Sequence, residues 1–325
     1  MSLVVGIDIG ATWLKAALAD GEGRILYKKA ERTNREGEEL LSQLLRLAGE
    51  LVARAGPSNV SAVGIGAVGP LDLASGAIVN PPNLPIGRLE VVGPLREALN
   101  LPVYLLNDCT AACYGEWVFG AGRGHDNVAH VALGTGIGGG AVVDGHLLLG
   151  EGGNAAEVGH FVVDAQGRLK CGCGGRGHWE AYCSGTGIPR FLGLWAREVG
   201  IDLDGLSRAL KGKGADQLTA EEALELARRV PDLAGFLEEL ARLNAIGLAL
   251  VACAFSPSII TIGGSVALGN PDIALSRAMA YLPDFAFRKV PKTSLTPLGG
   301  DAALYGAIAL ALRPPEGVGG ADRAP

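Results

Sequence analysis

No apolar run in the chain approaches the ~20 residues that a membrane-spanning helix needs. Stretches such as Ala245 to Phe255 and Ala302 to Leu312 stop far short of that length. The opening MSLVVGID enters structure at once and lacks the charged and apolar regions of a signal peptide, so a cytoplasmic protein with no membrane partner is expected. Positive charge is also in short supply. Lys plus Arg number 28 against 34 Asp plus Glu, a formal charge of −6, which argues against a nucleic-acid partner and its usual basic face. Methionine is scarce, with two residues, a composition that leans toward a heat-adapted source. The six cysteines need not be disulfides in a reducing compartment. What the chain has in excess is glycine, 50 residues of 325, roughly twice the usual share. Those glycines belong in turns and close backbone approaches. A chain of this length buries a large core and splits into two domains.

The pattern is α/β alternation. Val4 to Ile9 and Leu14 to Leu18 read as a β-hairpin with a glycine-rich first turn, followed by Asp20-Gly21-Glu22-Gly23 and Ile25 to Tyr27. Apolar residues from Leu40 to Val52 recur at helical spacing and end at Gly56-Pro57. Ala62 to Ala67 is a strand. Pro81, Pro82 and Pro85 fix an extended loop, Leu95 to Leu99 fits a short helix, and Val103 to Leu106 is a buried strand ending at Asn107-Asp108. From Asn127 the opening pattern recurs: strand His130 to Leu133, a glycine turn, strand Gly140 to Val143, and an acidic turn at Asp144-Gly145. The recurrence suggests duplication. A glycine- and cysteine-rich loop (150–187) leads into interrupted helices over 188–229 and a helix over 231–255. Strand Ile259 to Ile262 ends in Gly263-Gly264, and the helix Ala302 to Leu312 precedes a polar tail that is expected to fray.

Several short motifs carry chemistry. In Asp8-Ile9-Gly10-Ala11-Thr12 a carboxylate ends a strand and small residues let backbone N–H groups approach an anion, which suits phosphates with an Asp-held Mg²⁺; an ordinary hairpin turn is the alternative. In Leu133-Gly134-Thr135-Gly136-Ile137-Gly138-Gly139-Gly140 the glycines weaken a strand without a compensating reason, and a phosphate cradle is such a reason. It is not a Walker loop, because no Gly-Lys-Ser/Thr follows. Thr261-Ile262-Gly263-Gly264-Ser265 puts small residues where an adenine or ribose can rest, a weak signal by itself. Asp108 closes a buried strand, where open α/β sheets place their chemistry, and is a candidate general base; the alternative is an N-cap for a helix starting near Thr110.

The richest stretch runs from Glu157-Val158-Gly159-His160 to Cys171-Gly172-Cys173 and His178-Trp179-Glu180. Tetrahedral Zn²⁺ takes four N and S ligands, and His160, Cys171, Cys173 and His178 supply that set. Free buried cysteine is the plainer alternative. Glu157 and Glu180 flank the cluster and can reach sugar hydroxyls, or stay as solvated surface carboxylates. Cys109, Cys113, Cys183 and Cys253 read as free small hydrophobes without chemistry.

In order along the chain, GIDIGAT (6–12), GIGAVGP (64–70), NPPN (80–83), ND (107–108), LGTGIGGG (133–140), EVGH (157–160), CGCGGRGHWE (171–180) and GG (263–264) resemble the ROK family of sugar kinases and repressors, within the actin-like, ribonuclease H-like ATPases. The resemblance implies two α/β domains with a cleft, 1–117 plus 301–325 and 118–300, the larger carrying the zinc loop, and closure on sugar. It implies ATP-dependent phosphorylation of a hexose 6-hydroxyl, glucose first, with Asp108 as base. Gly69, Asn83, Asn107, Glu157, His160 and Glu180 then touch the sugar. Asp8, Gly10, Ala11, Thr12 and Lys15 with Gly134, Thr135 and Gly136 face the phosphates, and Gly263 and Gly264 the adenosine. The implied cofactors are ATP, catalytic Mg²⁺ and structural Zn²⁺, and the implied assembly is a homodimer or homotetramer. His178 stands where the family pattern has a third cysteine, which leaves both a His₂Cys₂ zinc site and a metal-free loop open. Asp8 lies too near the start for a preceding helix-turn-helix domain, so a DNA-binding repressor is not expected. The competing readings are a kinase for an N-acetylated hexosamine or fructose, and a sugar-independent actin-like ATPase.

Overall fold

The computed structural model of the protein describes residues 2–287 and 290–318. The chain opens with β1 (Leu3–Ile9), β2 (Trp13–Ala19), β3 (Ile25–Arg32), α1 (Gly37–Ala55), β4 (Val60–Ala67), β5 (Leu71–Asp72), β6 (Ala77–Val79) and β7 (Arg88–Glu90). It continues through α2 (Val92–Leu99), β8 (Val103–Asn107), α3 (Asp108–Val118), β9 (Val128–Leu133), β10 (Ile137–Val143) and β11 (His146–Leu147). Helices α4 (Glu180–Cys183), α5 (Gly187–Glu198), α6 (Leu203–Lys211), α7 (Ala220–Arg229) and α8 (Ala234–Phe255) follow. Last come β12 (Ile259–Gly263), α9 (Ser265–Gly269), α10 (Arg277–Phe285), β13 (Lys292–Leu295) and α11 (Ala302–Leu312). Two compact units result: residues 1–130, 140–156 and 296–325, and residues 131–139 and 157–295.

The two five-stranded sheets have the same order, β3-β2-β1-β4-β8 and β11-β10-β9-β12-β13. In the first, β2 pairs antiparallel with both β1 and β3, while β4 runs parallel to β1 and β8 parallel to β4. The repeated order is the structural form of the recurrence seen in the sequence. The proline-fixed loop at 80–87 is bracketed by a small antiparallel sheet, β5-β6-β7, which the sequence pattern did not announce because its strands are only two or three residues long.

In the first unit, alternation sorts β1 between two layers. Val5, Ile7 and Ile9 join Leu40, Leu44, Leu47 and Leu51 of α1 in one core. Val4 faces the other way, with Leu304 and Ile308 of α11. On that side the backbones nearly touch. A Cβ on Gly6 would meet Ile308 Cγ1 at 2.6 Å, one on Gly115 would meet Ala302 O at 2.7 Å, and one on Gly306 would strike the carbonyl of Ala111. The sheet and the helices α3 and α11 therefore pack at a distance only glycine allows.

The second unit is mostly helical outside its sheet. Helix α7 starts with a reciprocal cap, Thr219 Oγ1 accepting from Glu222 N and Glu222 Oε2 from Thr219 N. Trp179, fully buried, donates through Nε1 to Asn244 Oδ1 on α8 at 2.9 Å, and Gly247 leaves the room its indole fills. The cysteines divide differently from the expectation: Cys113 and Cys183 are buried, whereas Cys253 is exposed on the outer face of α8. Among the described residues no helix is long and apolar enough to cross a membrane. Of the tail expected to fray from Pro314, residues 319–325 lie outside the described residues.

Gly306→Ala forces a methyl into the Ala111 carbonyl, so α3 or α11 must shift. We expect a loss of about 3 kcal/mol in urea unfolding, whereas Gly49→Ala in the interior of α1, where nothing lies near the new methyl, should gain up to about 1 kcal/mol.

Candidate active site

In the first unit the strand ends and the start of α3 carry the polar groups. Asp8 closes β1 and is 8% exposed. Its Oδ2 lies 3.5 Å from Lys15 Nζ, which also lies 3.5 Å from Asp301 Oδ1 and donates to the Gly300 carbonyl. Asp301 in turn holds Lys28 at 2.6 Å. Burial pushes the Asp8 carboxyl up from 3.8 to about 6, although Lys15 pulls it down. The turn after Asp8 is tight: Gly10 N donates to Trp13 O at 3.0 Å, and Thr33 ties it down through Oγ1 to Gly10 O at 2.7 Å. Three residues after Gly10, Trp13 stands 45% exposed with the Arg32 guanidinium 4.5 Å above its ring.

At the end of β8 the helix begins at Asp108, two residues before the expected start. Asn107 is its N-cap, with Oδ1 accepting from Cys109 N at 2.9 Å and Thr110 N at 3.3 Å. Capping therefore falls to Asn107, and Asp108 is the first helical residue, with Oδ1 accepting from Cys109 N at 2.8 Å. Gly69, before the cis peptide bond to Pro70, approaches Asn107 so closely that a Cβ would lie 2.8 Å from its Nδ2. Asn154 pairs both ends of its amide with Leu71, Oδ1 accepting from N and Nδ2 donating to O, each at 2.9 Å. This fixes the 150–156 loop beside the Gly69 turn. Asn83 is exposed. No local sequence pattern marks the roles of Asn154 and Asp301.

In the second unit the turn Gly134-Thr135-Gly136 closes on itself, with Gly134 N donating to Gly136 O at 2.9 Å. The segment after α4 holds it from outside. Gly185 N donates to Gly134 O at 2.7 Å, and Thr186 bonds Thr135 O through both N and Oγ1 at 3.2 Å. Gly264, with φ of +87°, packs against the Leu133 backbone where no side chain fits.

His160, Cys171, Cys173 and His178 come together, their ligand atoms all within 4.8 Å of one another. A tetrahedral zinc site needs such atoms about 3.3–3.8 Å apart, so the set closes on an ion with small side-chain shifts. Cys173 Sγ is already 3.3 Å from His178 Nδ1. Burial pushes the Cys171 thiol up to about 11, so metal binding there must displace a proton. His160 Nδ1 lies 3.5 Å from Glu157 Oε2, and that carboxylate raises the imidazole's pKa. The loop is braced independently of any ion. Asp164 accepts from Tyr182 Oη at 2.5 Å and Arg168 Nε at 3.0 Å, and Leu169 N donates to Tyr182 Oη at 2.9 Å. Glu157 is half exposed. Glu180 turns inward instead, its Oε2 accepting from Ile137 N at 2.9 Å.

The sequence profile of the ROK family matches residues 4–313. The chain belongs to the ROK family. Among its ROK relatives, the glucokinase of Pyrobaculum calidifontis is 37% identical over 97% of both chains. The glucokinase of Aeropyrum pernix is 38% identical over 97% of this chain and 98% of its own. A crystal structure of a ROK glucokinase from Streptomyces griseus, in complex with glucose and AMPPNP, has 34% identity and a TM-score of 0.76, covering 95% of this chain and 99% of that one. The fold of this ROK protein is thus the actin-like, ribonuclease H-like ATPase fold implied by the motifs.

The raised Asp8 carboxyl gives a pH prediction. The folded state binds the extra proton between about pH 4 and 6, so stability falls as pH rises through that window, and ionised Asp8 is a full cost above it. Asp8→Asn should therefore raise stability at pH 7 by about 1–3 kcal/mol, with the gain shrinking toward pH 4 in thermal melts.

Proposed function

We propose that the protein transfers the γ-phosphoryl group of ATP to the 6-hydroxyl of a hexose, with glucose as principal substrate. The observation that carries this reading is the pair at the end of β8. Asn107 caps α3 and presses on Gly69, and Asp108 stands at the first helical position, in a chain alike end to end to proteins named glucokinase. In this reading Asp108 takes the proton of the 6-hydroxyl as that oxygen bonds to the γ-phosphorus and the bond to the bridging β-oxygen breaks, leaving ADP. Gly69, Asn83, Asn107, Glu157, His160 and Glu180 bind and orient the sugar. In the same reading the N–H groups around Gly10, Ala11 and Thr12, with Lys15, and those of Gly134, Thr135 and Gly136 serve the phosphates. Gly263 and Gly264 give adenosine a flat rest.

Asp8, a carboxylate closing a strand, is the group that would hold Mg²⁺ through water; the ion supplies neutralisation of phosphate charge. His160, Cys171, Cys173 and His178 would hold zinc in a structural role, with His160 linking the cluster to Glu157. The wider reading is of a cytoplasmic homo-oligomer, dimer or tetramer.

ADP formation with MgATP should depend on added sugar, with glucose ahead of fructose, mannose, N-acetylglucosamine and N-acetylmannosamine. Asp108→Asn should lower kcat by about 10²–10⁴-fold with little change in nucleotide affinity. Equal turnover without sugar, or near-normal turnover in Asp108→Asn, would overturn the assignment. Metal analysis should find close to one zinc per chain, absent from the double variant Cys171→Ser, Cys173→Ser.

A further inference from the structure

The amide of Asn154, in the 150–156 loop, is spent on a segment 83 residues away. Its Oδ1 accepts from Leu71 N and its Nδ2 donates to Leu71 O, each at 2.9 Å, while Nδ2 also donates to Gly152 O at 3.2 Å. Leu71 opens β5, the two-residue edge strand of the small sheet, so the amide supplies pairing on the side that β6 does not cover. The loop carrying Asn154 is itself tightly determined. Ala155 N donates to Leu149 O at 3.0 Å, and a Cβ on Gly153 would strike the Leu73 side chain. Ala156 is held at φ of +59°, a conformation that a residue with a side chain adopts only where its surroundings impose it.

Two residues before Leu71 stands Gly69. A Cβ there would lie 2.8 Å from Asn107 Nδ2 and 3.7 Å from Asn154 Oδ1, so the glycine is flanked by both amides. Asn107 has its Oδ1 committed to the N–H groups of Cys109 and Thr110, and its Nδ2 has no hydrogen-bond partner among the described residues.

We propose that Asn154 is a positioning residue for the sugar: it holds Leu71, and through Leu71 the Gly69 turn, against Asn107, so that the Nδ2 donor keeps one place for a sugar hydroxyl. The Asn107 amide is then fixed from two sides, by the helix cap it makes and by the glycine that Asn154 pins. Without Asn154 the Gly69 turn can draw back, the Asn107 amide gains room to rock about its cap, and each bound sugar has to restore the order. The donor serves the sugar equally before and during the reaction, so the loss falls on sugar affinity and not on the chemical step. The inference rests on the proposed function in one respect, that Gly69 and Asn107 belong to the sugar site.

The test pairs calorimetric binding of glucose, without nucleotide, with steady-state kinetics on the full-length wild type, Asn154→Ala and Asn154→Asp. Thermal melts and binding of a non-hydrolysable ATP analogue with Mg²⁺ are measured on each. Asn154→Ala removes both bonds to Leu71 and should weaken glucose binding and raise the glucose KM about tenfold, the scale of two ordinary hydrogen bonds. Its kcat should stay within about threefold, and its nucleotide affinity within about twofold, of the wild type. Asn154→Asp keeps the size and the acceptor for Leu71 N but turns the donor into an oxygen facing Leu71 O and Gly152 O. It should raise the same KM by a similar factor, and it guards against misfolding of the alanine variant. Glucose affinity within about twofold of wild type in either variant, or glucose and nucleotide binding weakened alike, would overturn the positioning role while leaving the kinase reading intact. A wild type that neither binds glucose nor forms ADP in response to it would overturn both.

Discussion

Everything in the first unit depends on how closely α3 and α11 press onto the sheet. Gly6, Gly115 and Gly306 each occupy a point where a single methyl would strike a neighbouring chain segment. Packing at that distance leaves no slack in the register between β1, β8 and the two helices. The polar groups of interest lie at the ends of these same elements: Asp8 at the end of β1, Asn107 and Asp108 where β8 becomes α3, and Asp301 just before α11. A glycine-lined contact is thus a way of fixing carboxylates. Side-chain packing of ordinary size would bury more apolar area but would hold the strand ends less rigidly.

The second unit solves the corresponding problem with a polar scaffold. Its ligand loop has too few apolar residues to form a core of its own, so it is braced from several directions. Asp164 gathers Tyr182 and Arg168, and Trp179 anchors in α8 through Asn244. Each of these groups is buried or half-buried and each is partnered, which removes the desolvation cost that buried polar groups otherwise carry. The result is a set of four ligand atoms already gathered before any ion is considered.

Electrostatics works against stability where chemistry is expected. Asp8 carries a raised pKa because burial outweighs the attraction of Lys15, and the ion pair is long, at 3.5 Å. A structure optimised only for stability would place an apolar residue there. Elsewhere buried ionisable groups serve structure alone: Glu116 is fully buried, accepts from Ala121 N at 3.1 Å and from Thr296 Oγ1, and His130 is held neutral by burial, its pKa near 4. What separates Asp8 from these is its strained compensation and its place at a strand's end.

The sequence by itself determined the local pieces and their kinship. Alternation in β1, the helical spacing of α1, the glycine turn at 134–136, the His and Cys spacing around 160–178 and the order of the ROK motifs are all short-range patterns, legible because their physical causes lie within a few residues. Tertiary structure decided the rest. The engagement of Glu180 with Ile137 spans 43 residues, and that of Asn154 with Leu71 spans 83, so neither partner could be named from the chain. The exchange of roles at the start of α3, with Asn107 capping and Asp108 inside the helix, turned on one residue of backbone geometry that adjacent polar residues do not encode. Lys15 is the neighbour of Asp8 across the local β1–β2 hairpin, whereas Asp301, which shares Lys15 with it, comes from the far end of the chain, just before α11.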